Sequence, residues 1–357
     1  MNRMKKFISF LIVLCFSISL AACLPGTDEP TLTPTPSPNA TGGAQQYKPA
    51  TVRVAYMPNM GSASALVTAL RKGYFDEVNL DVKLTQFQGG PAEIAAMASG
   101  DIDISQIGHG AHALAIEGQA KVFHIDCLSV ADEVLGNKDK GVTSAADLKG
   151  KTVAATAGTS AEIILNLVLN KAGLTQNDIN LVEMDANGIV SAMVSGNVDA
   201  CATWDPSTVL IKNNLKDKIV VLGTNKDFLN EVTFPSSFIT TEKYADENRD
   251  VLVRFSQAIL KAQDYRKANI EEVCGWVAEE IEADKETILQ GKDSGEWLTG
   301  EFISEALADG IIEDYYSGQQ SVFIQSGRIP NQVPVNNYVM FDIMEDAVEA
   351  YKGNTGK

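Results

Sequence analysis

Two stretches of this chain repeat one another, and the repeat constrains the fold more than any other feature. The segment AMASGDID at residues 96–103 recurs as AMVSGNVD at residues 192–199, with Ala, Met, Ser, Gly and Asp in the same places. The likeness extends upstream, where residues 52–75 parallel residues 151–174. Each copy has the pattern strand, Gly/Ser-rich loop, amphipathic helix, strand, loop, second helix, strand. Two copies of this pattern predict two similar lobes.

The alternation of strands and helices predicts an α/β fold in which each lobe has a mostly parallel sheet flanked by helices. Apolar stretches near residues 124–135 and 231–241 then lead from one lobe to the other. Two such crossing segments form a hinge, so we expect loops of both lobes to surround one cleft. We assign residues 49–131 and 237–357 to lobe 1, and residues 132–236 to lobe 2.

The N-terminal residues 1–22 have the pattern of a signal peptide. Basic residues precede an apolar run, which LAAC at residues 20–23 closes with small side chains. This ending resembles the bacterial lipobox, which implies that Cys23 is lipidated after cleavage and anchors the protein at the extracytoplasmic face of the cell membrane. An uncleaved anchor or plain secretion is the alternative. Residues 23–48 are rich in Pro, Thr, Ser and Gly, which predicts an extended spacer.

Charge and the remaining chemistry-bearing residues exclude several classes of partner. The formal net charge of −17 argues against nucleic acid. Cys127, Cys201 and Cys274 form no CxxC motif, which favours small buried thiols over a disulfide framework. His109 and His112 could share a helix face, but without further ligands they do not make a metal site. We therefore expect no metal and no cofactor, and His109 remains a candidate to hydrogen-bond a solute.

Ligands of open α/β sheets bind where strands end and loops lead into helix N termini. The repeat places six such loops at the cleft, namely residues 56–62, 87–93, 107–112, 155–162, 183–190 and 203–208. None of them contains Lys or Arg, which a site for phosphate esters or dicarboxylates usually includes. A singly charged oxyanion can instead be held by hydroxyls and the free N–H groups of a helix start. Thr159 and Ser160 of lobe 2 offer such a start, as do Gly61 and Ser62 of lobe 1, and plain N-capping is the alternative.

Other loop residues are candidates for the cleft wall. Trp204 follows a predicted buried strand and is the strongest side-chain candidate, with a core position as the alternative. Tyr56 and Phe234 could add aromatic lining, and the carboxylates Asp185 and Asp205 would suit an ammonium or other donor on the solute. The complete set of predicted ligand-binding residues is Tyr56, Gly61, Ser62, Gly89, Gly90, His109, Thr159, Ser160, Asp185, Trp204, Asp205 and Phe234.

Three segments resemble solute-binding proteins of bacterial ABC importers, of the aliphatic-sulfonate, taurine and nitrate type. They are GGPAEIAAMASGDIDISQIG at residues 89–108, SAADLKGKTVAATAGTSAE at 144–162 and AMVSGNVDACATWDP at 192–206. The resemblance implies a type II periplasmic-binding-protein fold, closure of two lobes on a small solute, and delivery to permease subunits. It also implies that the Trp-Asp pair of TWDP lines the ligand. We expect such a receptor to be a monomer.

The expected function is a non-catalytic, lipid-anchored receptor for a small sulfonate-like or zwitterionic solute of the taurine or alkanesulfonate class. The same fold could instead bind nitrate, bicarbonate or a thiamine-precursor-like pyrimidine, and Trp204 with Asp205 keeps the pyrimidine open. Relatives of the fold include enzymes such as pyrimidine synthases. The chain has no Ser/His/Asp or Cys/His motif, which makes an enzyme the least favoured alternative.

Overall fold

The computed structural model describes residues 47–355. The predicted signal peptide, Cys23 and nearly all of the predicted spacer lie outside these described residues. Within residues 47–355 the chain forms two sheets, and helices surround both of them.

Six strands form the sheet of the first lobe, in the spatial order β11-β4-β10-β3-β1-β2. Their bounds are β1 (Ala50–Tyr56), β2 (Leu80–Gln86), β3 (Ile104–Ile107), β4 (Lys121–Ser129), β10 (Pro235–Thr240) and β11 (Gly295–Trp297). β1 pairs in parallel with β2 and β3, whereas β10 runs antiparallel to β3 and β4, and β11 antiparallel to β4. The sheet is therefore mixed.

The sheet of the second lobe has the order β7-β6-β8-β5-β9. Its strands are β5 (Asp132–Asn137), β6 (Thr152–Ala155), β7 (Asn180–Glu183), β8 (Ala200–Trp204) and β9 (Ile219–Thr224). β6 is parallel to β7 and β8, and β5 is antiparallel to β8 and β9. In both lobes the strands of the repeated unit are parallel. We expected mostly parallel sheets. The antiparallel pairs come from β5 and β10, which arrive from the opposite lobe, and from the edge strand β11.

The sequence repeat becomes a structural repeat. The helices of the repeated units are α1 (Met60–Arg71), α2 (Gly90–Ser99), α4 (Ser160–Lys171) and α5 (Ala186–Ser195). The unit β1-α1-β2-α2-β3 thus recurs as β6-α4-β7-α5-β8, with the first strand central in each copy. Gly100 and Gly196 end the second helix of each copy in the left-handed region, with φ of 83° and 71°.

The aspartate that ends both copies of the repeated motif, Asp103 or Asp199, makes the same hydrogen bond in each lobe. Asp103 Oδ2 accepts a hydrogen bond from the main-chain N–H of Arg53 at 2.9 Å, and Asp199 Oδ2 accepts one from the N–H of Thr152 at 2.9 Å. Each carboxylate thereby joins the segment before the third strand to the first strand of its unit. The aspartate of the motif that reveals the repeat therefore stabilises each sheet, and it lies away from the cleft.

The chain crosses between the sheets twice. The first crossing joins β4 to β5 through Val130 and Ala131, and the second joins β9 to β10 through residues 225–234. Because the crossings are adjacent along the paired strands β4 and β10, they form one hinge region. The ends of the parallel strands of both lobes then face each other.

Among the remaining helices, α6 (Ser207–Leu215) belongs to lobe 2, and most of the others pack on lobe 1. These others are α3 (His112–Ile116), α7 (Glu242–Ala268), α8 (Ile270–Glu280), α9 (Lys285–Gln290), α10 (Gly300–Ala308), α11 (Ile311–Gln325) and α12 (Phe341–Thr355). In α11, the Tyr316 hydroxyl lies 2.6 Å from Ser237 Oγ of lobe 1. Val322, Phe323 and Ile329, at and beyond its C-terminal end, belong to the hydrophobic core of lobe 2. α11 therefore contacts both lobes.

The three cysteines of the described chain, Cys127, Cys201 and Cys274, are buried as free thiols. This agrees with the expectation of small buried thiols, since a buried cysteine packs like a small apolar residue. Within residues 47–355, no helix combines the length and apolar character that crossing a membrane requires.

Candidate ligand-binding site

A cavity lies between the two lobes and is lined by residues of both. Strand ends and helix starts of both lobes line it, as the loop positions predicted. The predicted site residues that line it are Gly61, Ser62, Gly90, His109, Thr159, Ser160, Trp204 and Asp205. Residues that the sequence analysis did not select also line it, among them Met57, Gln106, Asp132 and Ser236.

The helix start in lobe 1 is capped by its own side chains. The Asn59 side chain accepts a hydrogen bond from the Ser62 N–H at 2.9 Å, which makes Asn59 the N-cap of α1. Ser62 Oγ accepts from the Met57 N–H at 2.9 Å and donates to the Gln106 main-chain oxygen at 3.3 Å. The hydroxyl of Ser62 is thus committed to the fold, although it borders the cavity.

The hydroxyls at the helix start in lobe 2 form hydrogen bonds within the protein, and the N–H of Gly158, just before the helix, binds a carboxylate. Thr159 Oγ1 donates to the main-chain oxygen of Thr156 at 2.7 Å, and Ser160 Oγ donates to Asp132 Oδ1. The N–H of Gly158 donates to Glu162 Oε2 at 2.8 Å. Negative charge at a helix N terminus is favourable, and here the chain supplies it from Glu162. An anionic solute group at this start would lie near Asp132 and near Glu162, which is paired with Arg328 at 3.4 Å.

Asp132 is the most informative residue that the sequence analysis missed. It is the first residue of β5, immediately after the first crossing, and it is fully buried. Its Oδ2 has no hydrogen-bond partner among the described residues and lies 3.8 Å from His109 Nε2. Burial, with a smaller contribution from the charge of Asp205, raises the pKa of Asp132 to about 7. The signal that could have revealed it is its position in the first crossing segment, where VADEVL places an acidic residue directly after the apolar Val130 and Ala131.

His109 faces Asp132 from the other lobe. It begins a short 3₁₀ turn after β3, and neither of its ring nitrogens has a partner within the described part of the chain. Burial lowers the pKa of His109 to about 3, so its imidazole is neutral and offers one donor and one acceptor. The Phe234 ring packs on it with a centroid distance of 4.8 Å, and Gln319 Nε2 donates to its main-chain oxygen at 3.0 Å.

Trp204 and Asp205 end β8 on the lobe 2 side of the cavity. Trp204 is buried and contributes an apolar wall together with Met57. Asp205 accepts a hydrogen bond from the Thr208 hydroxyl, and burial raises its pKa to about 6. Both residues lie where the resemblance of the TWDP segment implied.

The cavity carries no basic side chain: of the described residues that line it, none is Lys or Arg. Among the described lining residues, the buried polar side-chain atoms without a partner are Asp132 Oδ2 and the two ring nitrogens of His109. The buried polar atoms of native proteins normally have hydrogen-bond partners, and an unpartnered set facing one cavity indicates a ligand that supplies them. Asp132 Oδ2 therefore lacks a donor, and His109 lacks one donor and one acceptor.

The other four predicted site residues do not line the cavity. Tyr56 is buried in the core of lobe 1, and its hydroxyl lies 3.5 Å from Glu280 Oε1. Asp185 caps α5 by accepting from the N–H of Gly188 at 2.7 Å. Phe234 packs against the His109 ring and is not part of the cavity wall. Gly89 precedes α2 and lies beside Thr159, because a Cβ added to Gly89 would be 3.5 Å from the Thr159 methyl carbon.

The two lobes contact each other directly at one side of the cavity. A Cβ added to Gly110 of lobe 1 would lie 2.1 Å from the carbonyl carbon of Thr159 and 2.3 Å from the nitrogen of Ser160. Only glycine permits this approach of the two main chains, which is one of the uses of a residue without a Cβ. The structure is therefore a closed arrangement of the lobes.

The neighbouring side chains Ser160, Asp132 and His109 of the described cavity lining are bonded in a different order from a catalytic triad. Ser160, Asp132 and His109 are neighbours, but the serine hydroxyl binds the carboxylate, whereas a nucleophilic serine needs the imidazole as its base. Burial raises the pKa of Cys127 to about 12, so its thiol does not ionise near neutral pH. In the described part of the chain, no three His, Cys, Asp or Glu side chains are grouped to hold a metal ion.

Comparison with known proteins gives consistent matches. The model of a family described as NMT1/THI5 like matches residues 61–273. A Brucella abortus (strain 2308) protein named "Putative binding protein" is 32% identical over 291 residues, which cover 82% of this chain and 90% of the relative. A Bacillus subtilis (strain 168) protein named "Putative aliphatic sulfonates-binding protein" is 25% identical over 300 residues, or 81% and 86% of the two chains.

A solved structure confirms the predicted fold class. The alkanesulfonate-binding protein SsuA from Xanthomonas axonopodis pv. citri, bound to MOPS, superposes with a TM-score of 0.64 at 20% identity. The match covers 83% of this chain and 99% of SsuA. At this level of identity the likeness establishes a shared two-lobed fold.

Proposed function

Because this chain belongs to the NMT1/THI5-like family, we propose that it is the extracytoplasmic receptor of an ABC importer whose solute presents several N–H donors, such as an aminopyrimidine. The chain is a solute-binding protein of the class that serves sulfonate- and nitrate-type importers, as its relatives are. The finer proposal concerns the solute. It departs from the sulfonate that we expected first and takes up the pyrimidine alternative.

One observation carries the proposal: the described residues that line the cavity include a buried carboxylate oxygen without a partner, and no Lys or Arg. Asp132 Oδ2 is buried, unpartnered in the described chain and aimed at the same cavity as Asp205. A buried polar group left without a partner costs roughly 1–3 kcal/mol, and more if it is charged. A solute that donates N–H groups to the carboxylates of Asp132 and Asp205 removes that cost. An oxyanion has no donor for these carboxylates and would place another acceptor beside them.

The shape and chemistry of the wall support a flat solute. Trp204 and Met57 supply apolar surface, and an aromatic ring gains dispersion and stacking energy against an indole. The neutral imidazole of His109 can donate to or accept from a ring nitrogen. Aminopyrimidines combine a flat ring, ring acceptors and exocyclic N–H donors, which matches this set.

A taurine-like zwitterion is the second candidate, supported by one specific feature. The first residues of α1, Gly61 and Ser62, border the cavity from lobe 1, while the carboxylates border it from lobe 2. An ammonium group at Asp132 and a sulfonate near the α1 start would use both sides. The taurine-binding periplasmic protein of Escherichia coli (strain K12), 23% identical over 63% of this chain, is a relative with such a solute in its name.

The experiment is a calorimetric titration of the mature protein, unfolded and refolded to remove any carried-over solute. The panel contains the hydroxymethyl aminopyrimidine of thiamine, taurine, methanesulfonate, nitrate and bicarbonate. We expect the aminopyrimidine to bind, and methanesulfonate and nitrate to bind at least tenfold more weakly. Methanesulfonate as the tightest ligand would contradict the proposal.

Two variants make the assignment specific. Asp132→Asn should weaken binding of the aminopyrimidine by about tenfold or more, because an accepted charge-assisted hydrogen bond is worth about 1.5–3 kcal/mol. Asp185→Asn is the matched control, because Asp185 caps α5 and does not line the cavity. Equal loss in both variants would show a general effect on folding.

We also propose membrane attachment through Cys23 and a monomeric receptor that delivers its solute to permease subunits. The support for the anchor is the lipobox-like LAAC sequence at residues 20–23, followed by a spacer composition.

A further inference from the structure

We infer that Gln106 is a specificity-determining residue of the cavity: its amide nitrogen is held away from the solute, so that its amide oxygen alone accepts an N–H group of the solute. The inference rests on the proposed function and deepens it, because it adds an acceptor from lobe 1 to those of lobe 2. Gln106 lies within the buried strand β3 and lines the cavity.

The two N–H groups of the Gln106 amide are both used by the protein. Nε2 donates to the main-chain oxygen of Gly61 at 3.1 Å and to Asp126 Oδ2 at 3.0 Å. Both partners are acceptors, and an amide nitrogen has two hydrogens to give. A flipped amide would place its oxygen against two other oxygens, so the orientation is fixed by the partners themselves.

The acceptor character of Asp126 is fixed in turn by a buried cation. Arg266 Nη1 lies 2.9 Å from Asp126 Oδ1, and both side chains are fully buried. Arg266 Nη2 donates to the Asp126 main-chain oxygen at 3.0 Å, and Gln263 Nε2 donates to the same oxygen at 2.9 Å. Every described group that hydrogen-bonds to the Asp126 carboxylate is a donor. Burial raises the pKa of Asp126, while the charge and hydrogen bonds of Arg266 and the bonds from Gln106 and Gln263 favour its ionised, acceptor form.

Gln106 Oε1 is the end of the amide that this network leaves free. No described residue donates a hydrogen bond to it, and the residue borders the cavity. The cavity therefore has a neutral acceptor on lobe 1, opposite the acidic acceptors Asp132 and Asp205 on lobe 2. A solute with donors on two of its edges can bond to both lobes at once, and this bridging favours the closed arrangement.

The orientation is tested without any solute. Gln106→Glu places a carboxylate against Asp126 and the Gly61 oxygen, so its melting temperature should fall further below that of wild type at pH 8.5 than at pH 5.5. Gln106→Met, which has a similar volume and no charge, should be lowered by a similar amount at both pH values. A Gln106→Glu protein as stable as wild type at pH 8.5 would overturn the orientation.

The effect on the solute is tested with a matched pair of probes, the hydroxymethyl aminopyrimidine of thiamine and its N,N-dimethylamino counterpart. In calorimetry, wild type should prefer the first probe, and Gln106→Met should lose about tenfold of its affinity for that probe while the second is unchanged. Gln119→Met, an exposed control away from the cavity, should bind both probes as wild type does.

The outcomes separate the inference from the function beneath it. Wild-type protein that binds neither probe contradicts the proposed function. Wild-type protein that prefers the amino probe, with Gln106→Met keeping the full preference, contradicts only the role of Gln106. Loss of affinity for both probes to the same extent would show that Gln106 acts on the shape of the cavity and not through its oxygen.

Discussion

At the scale of single residues, the site is defined by buried oxygens that lack donors. Asp132 is the clearest case, because its Oδ1 is bonded to Ser160 while its Oδ2 faces the cavity without a partner among the described residues. Its pKa is raised to about 7 by burial, so in the solute-free protein the carboxyl is partly protonated near neutral pH. A donor-rich solute favours its ionised form.

The raised pKa predicts a pH-dependent stability that an isosteric variant removes. The pKa of Asp132 is higher in the folded than in the unfolded protein, so the folded state binds the proton more tightly and loses stability as the pH rises through that window. From about pH 5 to pH 8, solute-free wild type should lose roughly 2–3 kcal/mol of unfolding free energy relative to Asp132→Asn. Urea unfolding at the two pH values measures this, and parallel profiles for the two proteins would contradict it.

At the scale of elements, the start of α4 decides between an anion site and a capped helix. Thr159 and Ser160 were predicted to hold an oxyanion, yet Thr159 Oγ1 bonds to Thr156 and Ser160 Oγ bonds to Asp132. The N–H of Gly158 is taken by Glu162. The Gly-Thr-Ser pattern therefore lies at the cleft with both hydroxyls bonded within the protein, and the Thr159 side chain makes no capping bond to the helix.

Alanine variants at this helix start separate the two interpretations. Thr159→Ala should cost about 1 kcal/mol of stability with little change in affinity, because its hydroxyl is bonded within the loop. Ser160→Ala should weaken solute binding, because it removes the hydroxyl that donates to Asp132 Oδ1 and leaves both oxygens of this carboxylate without a donor. Chemical unfolding and calorimetry on the same samples give both quantities. A Thr159→Ala protein that is fully stable yet binds tenfold more weakly would restore the oxyanion site.

The elements also show how far the sequence could predict the site. Repeat and loop position identified both helix starts and the Trp204–Asp205 pair, because these lie at strand ends that the pattern marks. Gln106 was missed because IDISQI looks like any buried strand, and its role depends on Asp126, which lies on the next strand along the chain. Asp132 was missed for a similar reason, since its partners Ser160 and His109 come from other segments. Such roles arise from tertiary contacts, which a local pattern does not contain.

At the scale of the whole molecule, two mixed sheets joined by two crossings close on one cavity. The fold class was predictable because the repeat was visible, whereas the antiparallel strands β5 and β10 result from the exchange of strands between lobes. The main chains of the two lobes approach each other closely at Gly110 and Thr159. Besides the two crossings and this contact, the helix α11 also connects the two lobes, since it packs on both of them.

Substitution of Gly110 should hold the lobes apart. In Gly110→Ala the new Cβ would overlap the Thr159–Ser160 peptide, so the closed arrangement is penalised and the open one is not. Solute affinity should fall by about tenfold or more, and small-angle scattering should show no compaction on adding solute. Gly318→Ala is the control, because nothing lies within 4 Å of a Cβ at that position. Compaction equal to that of wild type would contradict the closure contact.

Anchoring is a prediction about the part of the chain before residue 47. Cys23→Ala should move the protein from the membrane fraction to the soluble fraction, because the lipidated cysteine is removed while the spacer and lobes are unchanged. Fractionation with mass spectrometry of the N-terminal peptide measures both location and lipid. Wild-type protein that is soluble and carries no lipid would show the anchor to be absent.

The central claim is that this receptor carries a donor-rich solute between carboxylates of one lobe and an amide oxygen of the other. Its most direct test is to purify the protein from its native cells without refolding, release the bound molecule by denaturation, and identify it by mass spectrometry in both ion modes. The account predicts a neutral or cationic molecule with several N–H groups on a flat ring. Release of taurine, an alkanesulfonate or nitrate as the single bound species would contradict it.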